Sequence, residues 1–264
     1  MKKLLLSVFG AAAGLALSAG IALAASTVVV TPTNTQGWAS ADTRANGAIT
    51  FVEDATTAYG DAALQLTTGD SNLDKAQYLT AYTGSLSSLS TLAYSTKQVA
   101  GPPTAAASFQ ILVDLNGAGE GGFTTLVYEP YWNGTVVPTD WQSWDIDSGL
   151  VWSSRTFTDG TCAVVNGAGG PPLYNFSALQ VSCPDAVVQA VGVNVGSYNP
   201  NYNVLVDGVI VNDTTYDFEL TSGPVVMLPT SKDACKKGGY MNFTDAEGNP
   251  FKNQGQCVSY FNNM

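Results

Sequence analysis

The sequence predicts an all-β protein, a jelly-roll type β-sandwich with a small disulfide-stapled C-terminal tail, and three observations carry that expectation. From residue 27 to residue 220, short runs of β-branched and aromatic residues alternate with Gly, Asn and Asp punctuation at sandwich-like spacing. No stretch of helical length in that region shows the apolar period of an amphipathic helix. Finally, residues 109–152 hold Trp132, Trp141, Trp144 and Trp152 around a glycine-dense reversal, so much of the large apolar surface coincides with the strongest hairpin signal.

Taken in order, the chain opens with the features of a secretory signal. Lys2 and Lys3 precede a stretch of apolar residues and alanines, residues 4–17, and Ala22-Leu23-Ala24 has the small-x-small form of a cleavage site. A membrane anchor is the other reading, but the strongly apolar part is short for a span. Residues 1–24 are therefore expected to be a signal peptide, residues 26–222 the sandwich, 223–232 a linker and 233–264 a Cys-stapled module. No later stretch is apolar enough to span a bilayer, so no membrane span is expected after cleavage.

Within the sandwich, the β-branched run 27–31 reads as the first strand and is followed by a turn-rich segment containing Trp38. Runs 49–53, 62–67 and 75–80 are short strands between Gly/Asp/Asn signals, and 91–95 follows a turn. Gly101-Pro-Pro103 stops that strand and sets up 108–115, which pairs with 124–129 across a glycine-rich turn. Runs 141–146 and 150–154 are expected to pair across Asp147-Ser148-Gly149. Residues 157–185 read as loop, after which 186–197, 203–211 and 214–220 return to strand character, with Asn212-Asp213 as a turn.

Composition narrows the function classes. Without Lys2 and Lys3 the chain carries 8 basic and 21 acidic residues, a net charge of −13. A nucleic-acid binder needs a basic footprint, so that class is excluded, and anionic membrane surfaces are disfavoured on the same ground. Histidine is absent, which removes Ser-His-Asp and Cys-His catalysis and most transition-metal chemistry. Glu129, Asp145 and Asp147 are the candidates for two-acid glycoside hydrolysis, and Arg155 and Lys97 for lyase chemistry. Each reads more simply as a turn or edge residue, so the protein is expected to be non-enzymatic.

Four cysteines in an exported chain favour disulfides, and of the three pairings the simplest is between neighbours, Cys162 with Cys183 and Cys235 with Cys257. In the tail, Ser231 is placed to cap a short helix through Lys237, and Asn253 a second one through Tyr260. Lys232, Lys236, Lys237 and Lys252 make this tail basic, so it can face the acidic sandwich, an acidic wall polymer or solvent alone.

The motifs 125–134, 141–145, 192–197, Val206-Asp207-Gly208-Val209 and 216–219 resemble a family of secreted bacterial β-sandwich proteins. That resemblance covers roughly residues 38–219. It implies a jelly-roll related to carbohydrate-binding and galactose-binding-like modules and transfers no activity. The tail, with its CKKGGY and FKNQGQCVSY halves, is similar to a short Cys-containing module at the C-termini of exported bacterial proteins.

The aromatics are the better functional clue. Sugar rings stack on Trp and Tyr while amides and acids bond their hydroxyls. Tyr128, Glu129, Tyr131, Trp132 and Asn133 form one such set, and the loop holding Tyr198 and Tyr202 another. Trp141, Trp144 and Trp152 read as core. Asp114, Asn116 and Glu120 in the glycine-rich turn are the candidates for a calcium loop, against a plain solvated turn, and no other cofactor is expected. The expected function is a secreted or cell-surface binding module for an extracellular glycan or cell-wall polymer. The alternative is a structural or adhesive protein making protein contacts, with a glycan-cleaving enzyme third.

Overall fold

The computed structural model describes residues 26–159, 162–221, 228–246 and 250–263. The expected signal peptide and the first part of the expected linker lie outside these residues. Among the described residues, two seven-stranded sheets face each other as a jelly-roll type sandwich. One contains β1 (Ser26–Val30), β3 (Ala48–Glu53), β4 (Ala62–Thr67), β6 (Leu92–Ala100), β9 (Gln142–Asp145), β15 (Asn203–Val211) and β16 (Thr214–Phe218). The other contains β2 (Trp38–Ser40), β5 (Ala76–Ser85), β7 (Ser108–Asp114), β8 (Phe123–Tyr128), β10 (Leu150–Ser153), β13 (Tyr174–Asn175) and β14 (Val187–Val195). A small ribbon, β11 (Phe157–Asp159) with β12 (Cys162–Val164), stands outside both.

The core between the sheets is aromatic at two places. Trp38 stacks on Tyr78 at 5.6 Å and meets Tyr216 and Phe218 edge-on at 5.3 and 5.1 Å. Elsewhere Tyr94 packs on Phe109 and Tyr128, and its hydroxyl donates to the Ala107 carbonyl at 2.7 Å. Such rings combine large buried area with edge-to-face geometry, and the buried phenol is satisfied.

The glycine-rich reversal closes the expected hairpin, with β7 and β8 paired from Phe109↔Tyr128 to Asp114↔Phe123. The expected pairing of 141–146 with 150–154 does not form. Instead β9 pairs with β6 in one sheet, while β10 pairs with β8 and β13 in the other. Asp147-Ser148-Gly149 is thus a crossing between layers. Its hydrogen bonds explain why: Asp147 Oδ1 accepts the Leu92 amide at 2.8 Å, and the Ile146 amide donates to the Leu92 carbonyl at 2.9 Å. The turn is tied to the start of β6, which leaves the next strand free to join the opposite layer.

Both disulfides follow neighbour pairing, Cys162–Cys183 and Cys235–Cys257. The region expected as loop holds a short helix, α2 (Phe176–Ser182), whose N-cap Asn175 accepts the Ala178 amide at 3.0 Å. At seven residues it is too short to display a helical period. In the tail, α3 (Gln254–Asn262) starts where expected, with Asn253 Oδ1 accepting the Gln256 amide at 2.9 Å. The first expected tail helix does not form. Ser231 does cap Ala234, but the Lys236 and Gly239 amides then bond three residues back, to Asp233 and Lys236, and Lys237 takes φ of 51°. Cys235, Phe251 and Cys257 form a second small apolar cluster. No helix among the described residues is long and apolar enough to cross a membrane.

Candidate functional site

Period-two alternation sets the two faces of the second sheet. Phe109, Ile111 and Val113 of β7, Leu126 and Tyr128 of β8 and Val151 of β10 point into the core. Their neighbours Gln110, Leu112, Thr125, Val127, Trp152 and Ser154 line the opposite face, where they floor a groove of about 960 Å³. Gln77, Ser108 and Asn194 extend the floor, and the segments around Tyr198, Tyr131 and Gly169 form its walls. The floor therefore alternates an aromatic or aliphatic surface with amides and hydroxyls.

Several of these groups are held in place. Ser108 Oγ donates to the Asn194 carbonyl at 3.2 Å, and Asn194 Nδ2 lies 3.3 Å from Gln77 Oε1. Tyr131 Oη and Trp132 Nε1 both donate to the Gly169 carbonyl, at 3.0 and 3.2 Å, so this aromatic pair fixes the loop that overhangs the groove. At the other end, Tyr198 is 79% exposed and stands as a free ring on the rim. Its backbone takes φ of 70°, and the Thr68 hydroxyl bonds the neighbouring Asn199 carbonyl.

The charges of the groove are few. Asp42 takes Arg44 at 2.6 Å and Lys75 at 2.8 Å, and the Arg44 guanidinium, then Lys75, hold its carboxyl down to about 2 against a modest burial effect. Glu129 lines the groove beside Trp152; burial pushes its carboxyl up to about 8, opposed only by the Trp152 indole. At neutral pH it is mostly protonated, and so presents a donor as well as an acceptor. Arg155 lies 5.1 Å over the Phe123 ring at the far end of the groove.

The expected binding residues divide by strand parity and by loop packing. Glu129, Tyr131 and Tyr198 reach the groove. Tyr128, expected in a binding set, is buried between the sheets because it alternates with Glu129. Tyr202 borders the groove but is itself only 1% exposed, with its hydroxyl on the Ala105 carbonyl at 2.6 Å. Asn133 is a clasp: its Nδ2 donates to the Glu129 and Leu150 carbonyls, each at 3.0 Å, and its Oδ1 accepts the Leu150 amide at 2.7 Å. Trp132 is 39% exposed but packs on the Gly169–Gly170 loop outside the groove. Conversely Trp152, expected in the core, is on the groove floor. Its even position beside the inward-facing Val151 was the available signal.

The expected calcium residues Asp114 and Asn116 are tied into the glycine-rich turn and its neighbours. Asp114 is buried and its Oδ2 accepts from Gln189 at 2.6 Å, while Asn116 Nδ2 donates to the Glu120 carbonyl at 3.3 Å. Among the described residues no group of three or more His, Cys, Asp or Glu is arranged to hold a metal. Of the candidate hydrolytic acids, Asp145 caps the layer crossing by accepting the Asp147 amide at 2.9 Å, and Asp147 is engaged with Leu92, so neither faces the groove.

No family model matches the chain, and no curated protein does. Among solved structures, it is similar to a family 11 carbohydrate-binding module from Clostridium thermocellum in complex with a β-1,3-1,4-mixed-linked tetrasaccharide. The identity is 11% and the TM-score 0.39, over 67% of this chain and 88% of that one. A family 11 module of the cellulosomal cellulase Lic26A-Cel5E from the same organism gives 13% and 0.38, over 69% and 89%. An arabinose-bound family 51 α-L-arabinofuranosidase gives 7% and 0.36, over 78% of this chain and 32% of that one.

Proposed function

We propose that the protein is a secreted, non-catalytic binding module that takes a saccharide chain along the groove of the second sheet. The observation that supports this reading is the groove floor, where Trp152, Val127 and Leu112 interleave with Gln110, Thr125 and Ser154. A sugar ring has apolar C–H faces and a hydroxyl periphery, so it pairs with an aromatic flanked by amides and hydroxyls. Two disulfides fit an oxidising, extracellular setting. A binding role rather than hydrolysis is supported by the acids of the groove: besides Glu129, the carboxylate lining it is Asp42, which is committed to Arg44 and Lys75.

Calorimetric titration of a panel of plant, bacterial and animal oligosaccharides tests the reading, with Trp152→Ala and Trp132→Ala as variants. Trp152→Ala is expected to weaken binding by about tenfold or more, because it removes the stacking surface, while Trp132→Ala, which only loosens the Gly169 loop, weakens it less. Retained binding in Trp152→Ala, or no binding by any member of the panel, would overturn it.

A further inference from the structure

The groove differs in charge from the rest of the molecule. The whole chain has a net charge of −11. Four cations stand on the sandwich, Arg44, Lys75, Lys97 and Arg155, and all but Lys97 line the groove. Against them the groove holds two acids, Asp42 and Glu129. Asp42 cancels one cation, and Glu129 is mostly uncharged at neutral pH because burial raises its carboxyl to about 8. A positive groove thus persists on an acidic protein, and low-dielectric walls concentrate such a field.

Within that field the three cations are not equivalent. Arg44 and Lys75 share Asp42, and Lys97 on the other sheet is bound to Asp54 at 2.7 Å. Arg155 has no carboxylate partner among the described residues; its guanidinium rests on the face of Phe123, which restricts it without satisfying its donors. The backbone beneath it is closed into a ring of hydrogen bonds. The Arg155 amide donates to Thr124 Oγ1 at 3.1 Å, and the Thr124 and Ser153 hydroxyls are 2.7 Å apart. Ser153 Oγ in turn donates to the Arg155 carbonyl at 2.7 Å. Since the Ser153 proton is used there, Thr124 is the donor between the two hydroxyls, and the ring runs in one direction. A planar fork of donors is therefore held at the end of the groove with no carboxylate among the described residues to meet it.

Resting on the saccharide reading above, we infer that the ligand is an anionic glycan, whose uronate carboxylate or sulfate ester pairs with Arg155 while neighbouring sugar rings lie on Trp152. Guanidinium pairs two parallel N–H donors with the oxygens of such a group, which gives orientation as well as affinity.

The test is titration at low salt of the full chain with three ligands: an oligogalacturonate, its carboxyl-reduced neutral counterpart and a sulfated oligosaccharide of similar length. Arg155→Gln, Arg155→Lys and Trp152→Ala are the variants, each checked for an unchanged melting temperature. An acidic series is expected to bind about tenfold or more tighter than the neutral one, with the advantage lost in Arg155→Gln and only partly kept in Arg155→Lys, which retains the charge but not the fork. Preference for the carboxylate or for the sulfate assigns the anion, and either result supports the inference. Equal binding of the oligogalacturonate, its reduced counterpart and the sulfated chain, all sensitive to Trp152→Ala, would overturn it while the saccharide reading stands. An acidic preference that Arg155→Gln leaves intact overturns it equally. No binding of any of the three ligands overturns the inference, while the saccharide reading then rests on the wider panel.

Discussion

Asp207 Oδ1 accepts the Phe218 amide at 3.0 Å, at the point where one edge of β15 passes from β4 to β16. The same oxygen accepts the Gly208 amide at 2.8 Å, and Oδ2 takes the Thr57 hydroxyl at 2.5 Å. A fully buried side chain thus satisfies the donors that the change of partner leaves open. Gly208 beside it has φ of 57°, and a Cβ there would lie 2.1 Å from the Tyr59 ring, so neither conformation nor space admits another residue.

Asp207→Ala strands these three donors and is expected to cost about 3–5 kcal/mol in chemical denaturation. Asp207→Asn keeps the oxygen facing Phe218 and Gly208 and places an amide toward Thr57, which can accept. Its expected cost is about 1–2 kcal/mol. Equal losses for the two variants would mean that the carboxylate serves by its charge and not by its acceptors.

Stability should fall as pH rises from about 4 to about 8. Burial, the largest cause in each case, pushes Asp207 up to about 7, Glu219 to about 7, Asp147 to about 6 and Glu129 to about 8. The folded protein therefore holds protons that the unfolded chain releases near pH 4, and raising the pH favours unfolding. Asp42, held down to about 2, acts oppositely and loses its stabilisation below pH 4. A melting temperature lower by about 5 °C or more at pH 8.5 than at pH 5 is expected, with a smaller difference in Asp207→Asn. A flat or rising profile over that range would contradict it.

The β7–β8 hairpin is legible in the sequence because strand runs, glycines and turn length are all local signals. The layer crossing at Asp147-Ser148-Gly149 is not, since a short polar turn between two strands looks the same whether they pair or part. What decides it is a bond from Asp147 to Leu92, 55 positions away. The site was half legible for a related reason. Tyr128, Glu129, Tyr131 and Trp132 are contiguous in sequence, and contiguity conceals that alternation buries Tyr128 and that the α1 turn (Pro130–Asn133) carries Trp132 onto a distant loop. Trp152 and Arg155 reach the groove through strands that the sequence does not show to be neighbours.

The tail is expected to unfold independently of the sandwich. Its cluster of Cys235, Phe251 and Cys257 is too small to offset the ordering of thirty residues, whereas closing the loop between the cysteines contributes about 3 kcal/mol on the chain-entropy account. Cys235→Ser with Cys257→Ser should therefore render the tail protease-sensitive while the main thermal transition moves by about 2 °C or less. A large shift of that transition would make the tail part of the sandwich's fold.

Binding of an acidic chain should weaken as pH rises through about 8, because Glu129 then ionises in the groove. The other charged groups lining it are Asp42, Arg44, Lys75 and Arg155, and the phenols there are Tyr131, Tyr198 and Tyr202. Asp42 is already ionised throughout this range, and burial raises Tyr202 well above the usual phenol range, so neither changes charge near pH 8. Burial likewise raises Tyr131. The new negative charge on Glu129 opposes an anion some residues along the groove, an effect of about threefold in affinity at low salt. Glu129→Gln, which keeps the shape and a donor but cannot ionise, should flatten the profile and leave the affinity at pH 6 within about twofold of the parent protein. Titration at pH 6, 7.5 and 9 with the parent protein and this variant checks both statements. An unchanged slope in Glu129→Gln would place the titrating group elsewhere.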